Sequence, residues 1–73
     1  MKSKLIIVNK YLEPMLKAMN SSIEKVDYLT RTIGDQVVDE EVNIIFNTGN
    51  FIKVNVTRDS QERLVLDVMN AII

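Results

Sequence analysis

Cysteine and histidine are both absent from the 73 residues. Their absence excludes disulfides, thiolate chemistry and most zinc sites, and it removes the commonest general base. Proline occurs once and glycine twice, so the chain has few obligatory breaks. Neither sign of charge dominates: nine basic and ten acidic side chains leave a net charge of −1. Without a positive excess the domain lacks the electrostatic footprint of non-specific nucleic-acid binding. Long apolar runs are missing as well. "LIIV", Leu5–Val8, follows two lysines as in a signal peptide. Four apolar residues fall short of a signal-peptide core and far short of a membrane span. The expected location is the cytoplasm, which makes the Asn-x-Ser/Thr triplets at Asn20 and Asn55 chance matches.

What is present has the balance of a folded protein, with 47% hydrophobic and 26% charged residues. A chain of this length makes a single domain, residues 1–73, and buries only about 60% of its unfolded surface. Small domains offset that weakness with disulfides, a metal, oligomerisation or close helix packing. Only the last two remain open here.

Three segments are separated by "GDQ" (Gly34–Gln36) and "RDS" (Arg58–Ser60). In the first, Leu5, Val8, Leu12, Met15, Met19, Ser22, Val26, Leu29 and Ile33 alternate spacings of three and four, one stripe of a helix broken only by Ser22. Leu16 and Ile23 widen the stripe toward that of a core-packed helix. Lys10, Lys17, Glu24 and Arg31 recur every seven residues on the other side, as a solvated face does, and Gly34 suits a C-terminal cap. Pro14 lacks an N–H and disfavours helical geometry at Glu13. Two readings follow: a helix from about residue 4 to 33, kinked at Pro14, or a strand over Leu5–Val8 with the helix beginning at Pro14.

The second segment, "VNIIFNTGNFIKVNV", reads as a β-hairpin. A loop Asn47-Thr48-Gly49 places glycine at the left-handed position and sets Phe46 opposite Asn50, Ile44 opposite Ile52 and Val42 opposite Val54. The other face pairs Ile45 with Phe51 and Asn43 with Lys53. The third segment starts with Asp59 and Glu62 at capping-box spacing and carries an apolar stripe of Leu64, Val65, Val68, Met69 and Ile72. The expected fold is α+β, in the order α-β-β-α: a long N-terminal helix, a β-hairpin and a short C-terminal helix.

The acidic residues Asp35, Asp39, Glu40 and Glu41 match no calcium loop and read as a solvated loop and strand entry. Lys10, Lys17 and Arg31, helped by Lys2 and Lys4, are candidate phosphate contacts, but Glu24 interrupts the row. Asp27 or Glu24 near Tyr28 is not organised for acid–base chemistry, because no histidine, cysteine, phosphate loop or serine elbow accompanies them. The methionines Met1, Met15, Met19 and Met69 read as core filling.

The second hairpin face is the most informative feature. Two helices cover one face of two strands well; uncovered edges and faces invite another chain. The alternative is that Leu5–Val8 folds back over this face. We therefore expect a non-enzymatic interaction module (accessory subunit, adaptor or inhibitor), forming a homodimer or binding another protein. Its interface would draw on Leu5, Ile6, Ile7, Val8, Ile45 and Phe51. The alternative is a dimeric nucleic-acid-binding regulator using Lys10, Lys17 and Arg31. No catalytic residue, cofactor, metal or membrane contact is expected.

Overall fold

The computed structural model describes residues 3–72; Met1, Lys2 and Ile73, and with them any phosphate contact from Lys2, lie outside the described residues. Helix α1 covers residues 3–19 in three stretches: α-helical over Ser3–Ile6, π-helical over Ile7–Leu12 and α-helical over Glu13–Met19. Pro14 accounts for the middle one. Its ring clashes with the carbonyl four residues back, that of Lys10, in an ordinary α-helix. Just before it, the Glu13 N–H bonds to the Val8 carbonyl, five residues back, which is the wider π ladder. The helix thus passes through proline, and Leu5–Val8 is helical, not a strand. The wide turn also helps to align Val8, Leu12 and Leu16, four apart, on one buried line.

The helix stops much earlier than the apolar spacing predicts. Asn20 leaves helical geometry (φ −144°, ψ 106°), its Oδ1 accepts the Ser22 N–H at 2.9 Å, and its carbonyl accepts the Ile23 N–H at 3.1 Å. Asparagine and serine favour such turns because their side chains bond the nearby backbone. Residues 23–33, expected as the helix's second half, form strand β1 (Ile23–Ile33), so the order is α-β-β-β-α. The helical spacing there is an imitation. Ile23 pairs with Phe46 and Lys25 with Ile45, leaving Glu24 as a β-bulge. A bulge inserts one residue into the two-residue period of a strand. Ile23 and Val26, three apart, therefore both point into the core.

Strand β2 (Gln36–Phe46) pairs antiparallel with β1 and with β3 (Phe51–Asn55), giving the sheet order β1-β2-β3. Gly34, at φ +61°, occupies the first position of the two-residue turn Gly34–Asp35, where a type II′ hairpin wants glycine. It is a hairpin residue, not a helix cap. The β2–β3 hairpin has the register that side-chain pairing predicts, with Val42 opposite Val54, Ile44 opposite Ile52 and Ile45 opposite Phe51. Its loop is closed by Phe46 N–H to Asn50 O (2.8 Å), and Gly49 sits at φ +92°. Helix α2 (Gln61–Ile72) is capped by Ser60, whose Oγ accepts the Arg63 N–H at 3.1 Å, and not by Asp59, the expected cap one residue earlier.

Both helices lie on one face of the sheet. Val8, Leu12 and Leu16 of α1 and Leu64 and Val68 of α2 meet Val26, Val42 and Ile44, with Val56 at the strand exit, all essentially inaccessible to water. At the rim, Lys4 Nζ donates to Glu40 Oε1 (2.8 Å) and to the Val56 carbonyl (3.2 Å), and Tyr28 donates its hydroxyl to the same Glu40 oxygen (2.6 Å). Burial, with the hydrogen bond and charge of Glu40, pushes the Tyr28 phenol above its ordinary value. Burial acts the same way on Glu40, but the bonds from Lys4 and Tyr28 and the Lys4 charge outweigh it and hold that carboxyl low.

Candidate interaction surface

Alternation along the strands decides what the other face carries. Its cross-strand rows run Lys25–Ile45–Phe51, Asp27–Asn43–Lys53, Leu29–Glu41–Asn55 and Arg31–Asp39. No helix of the described residues covers it. Phe51 is 60% exposed, beside the half-buried Ile45, and Lys53 Nζ lies 5.5 Å from the Phe51 ring centroid, a cation–π distance. Leu29 is exposed in the next rows. Two ion pairs stand on this face: Arg31 Nε donates to Asp39 (2.8 Å), and Lys25 sits 3.6 Å from Asp27. A shallow depression of about 370 Å³ lies among Leu29, Arg31, Asp39, Glu41, Lys53 and Asn55. In the middle of the sheet the Asn43 Oδ1 is shielded from water and has no hydrogen-bond partner.

The β1–β2 hairpin also projects beyond the helices. Residues 31–37 are all exposed, Ile33 and Val37 included. The molecule's long axis of 37 Å is close to the reach of an eleven-residue strand at about 3.3 Å per residue.

Comparison with protein-family models, curated proteins and solved structures returned no match.

The structure divides the expected interface residues between two surfaces. Ile45 and Phe51 are cross-strand neighbours on the open face. Leu5 and Ile6 are exposed on α1, which packs on the opposite face, while Val8 is fully buried in the chain's own core and Ile7 packs against that core. The basic row separates as well. Lys10 and Lys17 are exposed on α1, but Arg31 stands on β1, held by Asp39. Strand alternation splits the acidic run: Asp39 and Glu41 face the open side and Glu40 the covered side. Among the described residues no group of three metal-ligating side chains forms, and no helix is long and apolar enough to cross a membrane.

Sequence reasoning missed β1 and its edge. Two signals were available: the turn cluster Asn20-Ser21-Ser22, and the alternation of Val26, Tyr28, Thr30 and Thr32 with Asp27, Leu29 and Arg31.

Proposed function

We propose that this protein is a non-enzymatic interaction module, an accessory subunit, adaptor or inhibitor, that works by packing the open face of its sheet against a protein surface, its own copy included. The supporting observation is the uncovered face itself, on which Phe51 and Ile45 stand side by side and which no helix of the described residues covers. A large exposed ring next to a second apolar side chain is the usual anchor of such contacts. The nucleic-acid alternative draws no support from the geometry, because Lys10 and Lys17 stand without the third member of their row.

The test is solution mass by light scattering across a hundredfold concentration range, for the native chain and for Phe51→Ala. Burying a phenylalanine side chain stabilises by roughly 1.5–3 kcal/mol, so the substitution should weaken association by about ten- to hundredfold with the circular dichroism unchanged. Equal association by both chains would refute the open face as the contact and leave self-association to another surface such as the sheet's edge; unfolding of the variant would make Phe51 a residue of the fold.

A further inference from the structure

The β1 edge carries a specific message. Backbone groups on an edge strand alternate between bonding the neighbour strand and pointing outward. The Val26 N–H points outward, because it bonds the Glu13 carboxylate at 2.9 Å. Thr30 points outward too: it lies opposite Glu40, whose N–H and carbonyl are engaged on the β3 side by Thr57 Oγ1 (3.0 Å) and the Val56 N–H (2.9 Å). Tyr28, midway between them on an unbroken ladder, shares their orientation. Glu13 occupies the donor at Val26. Among the described residues no group bonds the outward N–H and carbonyl groups of Tyr28 and Thr30. This stretch has no proline, no lysine and no bulge in β1, which are the usual protections of an edge.

We propose that this edge pairs with the same edge of a second copy of the chain, antiparallel about a two-fold axis at Leu29. This rests on the reading of the protein as an interaction module and names the partner. Charge selects the register. With Leu29 against Leu29, Tyr28 of each copy bonds Thr30 of the other, and Asp27 of each copy stands opposite Arg31 of the other on the open face. Sliding by two residues in one direction sets Lys25 against Arg31, a like-charge pair; sliding in the other sets Leu29 against Arg31 and Asp27 against Ile33. Only the Leu29-centred register joins an apolar pair on the axis to complementary charges on both sides, and cross-strand pairs are what stabilise a sheet. The two three-stranded sheets become one of six strands. Glu13 ends the pairing at Val26 in each copy.

The experiment uses two charge variants, Asp27→Arg and Arg31→Asp, in the full chain. In the proposed register each variant alone meets like charges at both flanks, whereas an equimolar mixture restores opposite charges at both. The native chain should scatter as twice 8.4 kDa, each variant as a folded monomer by circular dichroism, and the mixture as a dimer again. A native monomer throughout the concentration range would overturn the proposal. So would a dimer that ignores both reversals, or variants that fail to recombine. A dimer indifferent to residues 27 and 31 but lost in Phe51→Ala would overturn the edge and keep the open face. Folding failure of either variant is bypassed by Leu29→Lys, which places two like charges on the axis and should also give a monomer.

Discussion

The Glu13 carboxylate accepts the Val26 N–H at 2.9 Å, so the residue before the proline supplies the acceptor for a donor on the edge of the sheet. The contact joins helix and strand across the bulge at Glu24, where the ladder to β2 is already disturbed. Hydrogen bonds to a charged partner are the stronger kind. Glu13→Ala should lower unfolding free energy by about 1–2 kcal/mol in urea denaturation, and hydrogen exchange at the Val26 amide should accelerate. Glu13→Gln keeps an acceptor and should recover part of the loss. An unchanged exchange rate in Glu13→Ala would show that the bond does not hold the edge.

Leu16 and Met19 test the burial pattern of α1. Leu16 is wholly buried and Met19 is 56% exposed, although both lie on the apolar side of the helix. Leu16→Ala should cost about 2–5 kcal/mol, a large share of what a domain this small possesses. Met19→Ala should change stability by less than about 0.5 kcal/mol. Similar melting curves for the two variants would refute the placement of the core.

Asn43 is a stability reserve. Its Oδ1 is shielded without a partner on the central strand, where a β-branched side chain fits better. Asn43→Thr should stabilise the fold by about 0.5–1 kcal/mol, read as a shift of the denaturation midpoint at constant slope.

Two carboxyls give stability opposite dependences on pH. Burial, then the hydrogen bond and charge of Asp67, raise Asp59 against smaller opposing effects of Arg63 and Lys4. A raised carboxyl costs stability while ionised, and the cost is relieved as pH falls through its folded value. Glu40, held low, contributes stability that is present above its unfolded value and lost as pH falls through the depressed one. Asp59→Asn should therefore be more stable than the native chain at neutral pH, with the gap closing on acidification. Glu40→Gln should be less stable at neutral pH, with its gap closing only at more acid pH. Urea midpoints measured from about pH 7 to about pH 2.5 separate the two, and parallel curves for either variant would contradict its assignment.

The two ends of the chain and the second hairpin were legible for different reasons. One hairpin register satisfies Val42, Ile44, Ile45 and their partners together, and the structure has it. The stripe Leu64–Val68–Ile72 similarly leaves α2 one face to bury. β1 was not legible by periodicity, because the bulge at Glu24 sets Ile23 and Val26 at a helical interval and Leu29 and Ile33 extend it by coincidence on exposed positions. That the helix runs on through Pro14 was one of two readings, but the π turn that carries it past the proline leaves no mark in the apolar spacing. The division of the apolar residues between two surfaces followed from the third strand, and so could not be read before it.

The sheet is a meander whose strands are joined by the two-residue turn at Gly34–Asp35 and the three-residue loop at Asn47–Gly49. Short loops close at small entropic cost, and pairings near in sequence form early. The contact between the two ends is of another kind: Lys4 reaches the Val56 carbonyl across 52 positions. Assembly is then expected to run from the middle outward, with the meander formed first and the helices closing over it as a seam. Hydrogen exchange would show the reverse order on opening, with α1 and α2 released while β1 and β2 stay paired.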